Sequence, residues 1–136
     1  MTRILATGLL CGALGAQTLT VQVNGVQNAK GTVRAALYRG KEGYPTKPEK
    51  AAAKTMEPAA AGTVTVVFNG VGPGEYAVAV YHDQNGNGKL DANFMGIPKE
   101  PTSASNDAKA RMGPPSYEDA RFTVSGDATI RVQLSK

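Results

Sequence analysis

Residues 76–82 read Tyr76-Ala77-Val78-Ala79-Val80-Tyr81-His82, and the pattern of this stretch indicates the fold class. Every second side chain falls on the same side: Tyr76, Val78, Val80 and His82 on one, the alanines and Tyr81 on the other. Alternation with a period of two is typical of a half-buried β-strand. The pattern recurs at 19–23, 31–38, 63–68, 122–124 and 130–134, with Leu19, Val21, Val23, Val33, Ala35, Leu37, Val64, Val66 and Phe68 predicted to face inward.

Turn residues separate these segments, as at Asn24-Gly25, at 70–74 and at 125–127. A chain of 136 residues with 16 Gly and 8 Pro suits one domain of short elements. Six or seven such segments predict an all-β fold, an antiparallel Greek-key sandwich of about seven strands, with residues 17–136 as its single domain. Tyr76 follows Gly72-Pro73-Gly74 and is either a corner residue, its hydroxyl returning to the backbone, or an ordinary core tyrosine.

Two segments break the alternation. Residues 41–62 are polar and Pro-containing, and are predicted to follow an edge of the sandwich, with weak helical periodicity at 49–54 only. Residues 93–119 contain four prolines and are predicted to form a long irregular loop. Loops of this length in compact domains are usually functional or held down by other parts of the fold.

The N-terminus has the pattern of a signal peptide. Arg3 precedes a short apolar run at 4–14, and small residues follow at Ala13, Gly15 and Ala16. The run is shorter than the roughly 20 residues that span a bilayer. Residues 1–16 are therefore predicted to be a cleaved leader, which implies a periplasmic or secreted protein without a transmembrane span.

Cleavage would change the chemistry available to the mature chain. It removes Cys11, the one cysteine, so thiol and disulfide chemistry are excluded. It also removes Arg3, one of 15 Lys and Arg residues, so that 14 face 11 Asp and Glu and the net charge falls from +4 to +3. The remaining basic residues form no stripe and have no aromatic platform beside them, which argues against nucleic-acid binding.

Residues 83–91 resemble the first nine positions of a calcium loop. Oxygen-bearing side chains stand at alternate positions, Gly88 is at the sixth position, and the Lys89 carbonyl would supply the seventh-position ligand. The predicted metal ligands are Asp83, Asn85, Asn87, Lys89 and Asp91. Phe94 occupies the twelfth position in place of the usual Glu, so a further carboxylate would have to come from Glu100, Asp107, Glu118 or Asp119. The alternative is a metal-free turn, since Asn85-Gly86 and Asn87-Gly88 are good turn dipeptides.

His82 is the one histidine of the chain, so it cannot build a zinc or copper site alone. Beside Asp83 it could act as a general base. Its position on the strand, on the same side as Val78 and Val80, instead favours a hydrogen-bonded histidine that closes the end of the core.

Several longer runs carry a resemblance to a known family. They are residues 82–100, Ser105-Asn106-Asp107-Ala108, residues 113–122, Ala36-Leu37-Tyr38 and Gly43-Tyr44-Pro45. Together they resemble the bacterial secreted family DUF2141. The resemblance implies a small exported protein of Gram-negative bacteria, with a prealbumin-like or immunoglobulin-like sandwich and no assigned role. It also implies that the 83–91 loop and the long segment after it form one surface, with Asp119 and Ala120 anchoring the return to the 122–124 strand.

Three functions remain open from the sequence. The first is a non-enzymatic binding or accessory module with a structural Ca²⁺ at 83–91 and a protein or small-ligand partner in the periplasm. The second is a structural envelope protein that self-associates through sheet edges. The third is a small hydrolase-type enzyme that uses His82, although the chain has no nucleophile elbow and no pair of metal-binding histidines.

Overall fold

A computed structural model describes residues 17–95, 97–110 and 113–135. The strands in these ranges are β1 (Gln17–Val26), β2 (Thr32–Tyr38), β3 (Ala53–Pro58), β4 (Gly62–Val71), β5 (Gly74–Asp83), β6 (Thr102–Ala104), β7 (Phe122–Val124) and β8 (Ala128–Gln133). The helical elements are one α-helical turn, α1 (Tyr117–Ala120), and 3₁₀ turns at Pro48–Lys50 and Ser105–Asp107. The predicted leader, residues 1–16, lies outside the described residues. No described helix is long and apolar enough to cross a membrane.

The strands form two sheets, which confirms the predicted all-β sandwich. One sheet has the order β4-β1-β8, and the other has the order β3-β2-β5-β6, with β7 also paired to β5. Eight strands are present in the described ranges against about seven predicted. The pairing of β1 with β8 is parallel, whereas the other strand pairings described are antiparallel.

The alternating residues meet in one core between the sheets. The side chains predicted to face inward from β1, β2, β4 and β5 are all buried, and Leu19, Val21, Val33, Val66 and Val78 are completely inaccessible to solvent. Burial of this kind is the main favourable contribution to folding. The period-two reading of these four strands is therefore confirmed.

The segments predicted to be irregular contain two additional strands. β3 pairs with β2 along its full length, and β6 pairs with residues 79–81 of β5. The weak helical periodicity at 49–54 yields only a 3₁₀ turn before β3 begins. β3 is an edge strand with mostly exposed side chains, so its sequence has no apolar alternation to reveal it.

The long segment, joined by Tyr44 from the 41–62 segment, covers the outer face of the second sheet. Ala77 and Tyr38, whose side chains point away from the main core, are nevertheless buried there. Tyr44 packs edge-on against Tyr38 and Tyr117, with ring centroids 5.4 and 5.9 Å apart. A second apolar cluster forms around Ala77, Ala104, Tyr117 and Ala120, so the segment packs as part of the fold.

Ser105 joins this layer to β5. On one edge of β5, β7 pairs with residues 74–76 and β6 with residues 79–81, which leaves Val78 between them. The buried Ser105 hydroxyl accepts a hydrogen bond from the Val78 N–H at 2.9 Å and donates to the Ala120 carbonyl at 2.6 Å. The serine thereby completes the hydrogen bonding of β5 and ties α1 to the sheet, as expected of an anchor at Ala120.

Tyr76 is a corner residue, one of the two alternatives left open by the sequence. Its hydroxyl donates a hydrogen bond to the Gly72 carbonyl, four residues back, at 2.7 Å. The Arg39 guanidinium lies over its ring at 5.5 Å. The hydroxyl bond and the Arg39 contact thus both hold Tyr76 at the turn that leads into β5.

Candidate functional site

The 83–91 loop begins where β5 ends, at the centre of the second sheet. Asp83 is the last residue of β5 and is completely buried. Its carbonyl accepts a hydrogen bond from the Gly86 N–H at 3.3 Å, which starts the first turn of the loop. A polar loop therefore starts from a carboxylate inside the protein, and that carboxylate needs partners.

The two oxygens of the Asp83 carboxylate differ in their surroundings. Oδ2 accepts hydrogen bonds from the Gly88 N–H at 2.7 Å and from Arg34 Nε at 3.0 Å. Oδ1 is buried with no hydrogen-bond partner among the residues that the structure describes. A buried acceptor without a partner costs about 1–3 kcal/mol, and more when it is charged. Asp83 Oδ1 is therefore a buried acceptor, at the first residue of the loop, that could accept a further hydrogen bond or bind a cation.

Three further predicted ligands of the loop, Asn85, Asn87 and Asp91, are hydrogen-bonded to one another. The Asp91 carboxylate accepts hydrogen bonds from the Asn85 amide at 2.6 Å and from the Asn87 amide at 2.9 and 3.2 Å. The amide hydrogen bond from Asn87, followed by that from Asn85, lowers the pKa of Asp91 below its ordinary value of 3.8. The two asparagine oxygens accept from the backbone, Asn85 Oδ1 from the Asn87 N–H and Asn87 Oδ1 from the Lys89 N–H. The loop is thus coiled inward on its own polar groups.

Glu100 is the distal carboxylate that joins the loop. Its Oε2 accepts from the Gln84 N–H at 2.7 Å and its Oε1 from the Asp91 N–H at 3.2 Å, and the residue is buried. The other candidates lie elsewhere: Asp107 accepts from the Gln133 N–H, and Glu118 and Asp119 belong to α1. The loop and the beginning of the long segment therefore share one hydrogen-bond network.

Within the described part of the chain, no group of three or more acidic, histidine or cysteine side chains could hold a metal ion by itself. A cation at the 83–91 loop would therefore need amide and carbonyl oxygens as well as carboxylates. This donor set suits Ca²⁺, which takes six to eight oxygen ligands of mixed kinds in flexible geometry. Zinc, which prefers nitrogen and sulfur ligands, does not fit.

His82 is enclosed in the core. Its Nε2 lies 2.6 Å from the Lys30 carbonyl and must donate, because a carbonyl oxygen only accepts. The residue is inaccessible to solvent, and its Nδ1 has no hydrogen-bond partner within residues 17–95, 97–110 and 113–135. This is the hydrogen-bonded, core-closing position that the strand alternation favoured.

Sequence reasoning missed Arg34, the cationic partner of the site. Arg34 lies on β2, where it is paired with Tyr81, and its side chain reaches across to Asp83. Nothing near Arg34 in the sequence indicates this role, because the contact depends on the register between two strands. The alternation did place its side chain outside the main core, where an ion pair with the loop becomes possible.

Residues 21–132 match a family model described as "Uncharacterized protein conserved in bacteria (DUF2141)". The match covers most of the chain and confirms the resemblance seen in the sequence. Neither the curated proteins nor the solved structures include a match to this chain.

Proposed function

The chain belongs to the DUF2141 family, and from that premise we propose that it is an exported, non-enzymatic binding or accessory module. In this proposal the 83–91 loop holds a structural Ca²⁺, and the ordered loop supports the surface that the long segment presents. Export follows from the leader pattern at residues 1–16.

The observation that carries the proposal is the buried Asp83 carboxylate. Arg34 and Gly88 both donate hydrogen bonds to Oδ2, while Oδ1 has no partner in the described part of the chain. A buried carboxylate oxygen is normally hydrogen-bonded or bound to a metal. A cation at the loop would provide the partner that Oδ1 lacks.

The rest of the loop could supply the other ligands. Asp91 and the Lys89 carbonyl contribute oxygens directly. Asn85 and Asn87 now direct amide nitrogens at Asp91, but a side-chain amide carries an oxygen on its other arm. A rotation of each amide by about half a turn would direct its oxygen, in place of its nitrogen, towards a cation bound beside Asp91. In the metal-free alternative, the amide hydrogen bonds themselves hold Asp91.

The enzymatic alternative is not favoured. His82 is inaccessible to solvent and its Nε2 already donates to Lys30. A general base must come within hydrogen-bond reach of its substrate, and this ring is enclosed on its strand. The neighbouring Asp83 faces Arg34 and the loop, which are structural partners.

Self-association through a sheet edge is also less favoured. β3 forms one edge of the second sheet, and it carries Lys54, Glu57 and Pro58. Charged residues and proline are the residue types that discourage edge-to-edge pairing. A binding module therefore remains the function that the arrangement supports best.

Thermal melting with and without calcium tests the proposal. A ligand present at ten times its Kd stabilises the folded state by about 1.4 kcal/mol. For a domain of this size, the melting temperature should rise by about 4–6 °C. Mg²⁺ at the same concentration should give a smaller shift, because it prefers a rigid, partly hydrated octahedral site.

Matched variants localise the effect. Asp91→Asn should abolish the calcium-dependent shift, whereas Glu57→Gln removes an exposed carboxylate on β3 and should leave it unchanged. Melting of each variant in chelator measures its intrinsic stability separately. Equal melting temperatures for the unmodified protein in millimolar Ca²⁺ and in chelator would rule out the calcium site.

A further inference from the structure

Three large apolar side chains lie exposed together just beyond the 83–91 loop. The exposed fractions are 97% for Phe94, 68% for Met95 and 54% for Ile97. We call these three residues the apolar tip. Met56 and Val67 are also exposed but stand singly on different strands. Single exposed apolar residues are ordinary, whereas a contiguous group usually marks an interaction surface.

The backbone around the apolar tip is held by hydrogen bonds. Asn93 Oδ1 accepts from the Met95 N–H at 2.9 Å and from the Ile97 N–H at 3.0 Å, and the Asn93 N–H donates to the Ile97 carbonyl at 2.9 Å. Ala92 forms a β-bridge with Pro98. The described residues of 92–98, which we call the projection, are therefore closed at their base by hydrogen bonds, and they carry the three apolar side chains.

This projection starts from the candidate calcium loop. The Lys99 N–H donates to the Asp91 carbonyl at 2.8 Å, so Asp91 belongs both to the loop and to the base of the projection. Lys89 and Lys99 precede and follow the projection in the chain, and the charge of each helps to lower the pKa of Asp91. Both lysines are exposed. The apolar tip is thus flanked by two cations and one partly buried carboxylate.

We propose that the apolar tip inserts into an anionic lipid surface, with Lys89 and Lys99 against the headgroups. Apolar side chains enter the boundary of the acyl chains, while nearby lysines are attracted to anionic lipid. The net charge of the chain, +4 in full and +3 after the predicted cleavage, has the matching sign.

A lipid surface fits the projection better than a protein partner does. Protein interfaces bury about 800 Å² on each side. An aromatic side chain buries roughly 150–250 Å², so three apolar side chains fall well short of that area. A bilayer requires no complementary pocket, and it accepts exposed apolar side chains.

The proposal names the partner of the binding module, and only its calcium dependence rests on the proposed function. Calcium at the loop would offset the charge of Asp91 and leave the two lysines unopposed. Binding to anionic vesicles should therefore strengthen in Ca²⁺, while the apolar contribution is the same in Ca²⁺ and in chelator.

Tryptophan fluorescence offers a direct test, because the chain contains no tryptophan. The protein is recovered as the exporting cell processes it, and its mass establishes the N-terminus. With Phe94→Trp, vesicles of phosphatidylcholine with phosphatidylglycerol should shift the emission to the blue. With Val67→Trp, which places the reporter on an exposed position of β4, they should leave it unchanged.

Vesicle flotation measures the apolar contribution. Phe94→Ser/Ile97→Ser should weaken partitioning at least about tenfold, since each side chain adds substantial transfer free energy. Met56→Ser/Val67→Ser removes two exposed apolar side chains elsewhere and should bind like the unmodified protein. All variants carry the same N-terminus, so any residual leader contributes equally to each.

The lysines are tested in the same assay. Lys89→Gln/Lys99→Gln should weaken binding about tenfold or more on anionic vesicles only. The matched pair Lys41→Gln/Lys47→Gln, on the connection after β2, should have little effect.

The outcomes separate the two proposals. Tip-dependent vesicle binding that persists in chelator, with no calcium shift in melting, supports the apolar tip and rejects the calcium site. Failure of the unmodified protein to bind anionic vesicles overturns the lipid inference, even if calcium raises the melting temperature. Equal binding by the Phe94→Ser/Ile97→Ser variant also overturns it, as does retention of the protein by a protein partner through these residues without lipid.

Discussion

Arg34 and Asp83 stand 49 residues apart in the sequence, and Arg34 Nε lies 3.0 Å from Asp83 Oδ2. The Asp83 side chain is completely buried, whereas that of Arg34 is 30% exposed. The pair connects the interior of the second sheet to the 83–91 loop. A substitution of Arg34 would therefore remove one of the two hydrogen bonds described for the Asp83 carboxylate.

Replacing Arg34 by Met should destabilise the protein by about 2–4 kcal/mol, because a buried carboxylate loses its cationic partner. Arg121 and Glu75 provide the control: they form an exposed pair at 3.5 Å, and Arg121→Met should cost less than about 1 kcal/mol. Chemical denaturation measures both. Similar losses for the two variants would contradict the role assigned to Asp83.

Gly31 and Gly70 share a φ of 68° but differ in their surroundings. A Cβ at Gly31 would collide with the Asp83 carbonyl oxygen, whereas one at Gly70 would meet nothing within 4 Å. Gly70→Ala should cost about 1 kcal/mol from backbone strain. Gly31→Ala should cost more and should also weaken any calcium effect on melting. If denaturation gives equal losses, the collision is being relieved by movement of the loop.

The Asn87–Asp91 hydrogen bonds make an acid-dependent prediction. They hold the pKa of Asp91 below 3.8, so their stabilisation is present above that pH and is lost as the pH falls through the lowered pKa. In calcium-free buffer, Asn87→Ala should raise the pKa of Asp91, as measured by carboxyl-carbon NMR titration. Asn28→Ala, in an exposed turn, should not change it. An unaltered pKa of Asp91 in Asn87→Ala would contradict the hydrogen-bond assignment.

Ser105→Ala should remove two buried hydrogen bonds at once, those with Val78 and Ala120. Because both backbone groups would lose their partner, the expected cost is about 2–4 kcal/mol. Amide exchange should increase at Val78 and in α1. The exposed hydroxyl of Thr63 donates a hydrogen bond to the Asn24 side chain, and Thr63→Val should cost less than about 1 kcal/mol. Unchanged exchange at Val78 in the Ser105 variant would show that the serine does not serve that N–H.

Tyr44 links stability to alkaline pH. Burial raises the pKa of Tyr44, and also that of Tyr38, from 10.0 to about 12. Their stabilisation is complete below pH 10 and is lost as the pH rises toward 12, because the unfolded chain ionises first. The Tyr44 hydroxyl is buried and has no hydrogen-bond partner among the described residues. Tyr44→Phe should therefore be neutral or stabilising at pH 7, and it should reduce the loss of stability at alkaline pH.

Tyr38→Phe is the control for Tyr44→Phe. It removes a similar titration but loses the hydrogen bond from the Tyr38 hydroxyl to the Pro45 carbonyl, so it should be less stable at pH 7. Denaturation at several pH values compares the two variants. A loss of stability at pH 7 in Tyr44→Phe would indicate that its hydroxyl makes a stabilising interaction.

The sequence by itself determined the alternation that forms the core and the local order of polar residues at 83–91. Both are local patterns: side chains of a strand alternate with period two, and a turn is specified by neighbouring residues. Leu19, Val33, Val66 and Val78 could accordingly be assigned to the core without knowing which strands pair. The loop ligands could be proposed in the same way from their spacing alone.

The contacts between residues far apart in the chain depend on the tertiary structure. Strand register brings Arg34 to Asp83, the return of the long segment brings Glu100 to Asp91, and packing on the outer face buries Tyr38 and Ala77. The tertiary structure also leaves the apolar tip exposed. From their residue types alone, Phe94, Met95 and Ile97 would be assigned to the core. Such contacts join residues far apart in the chain, and pairing and packing, which local spacing does not encode, determine whether they form.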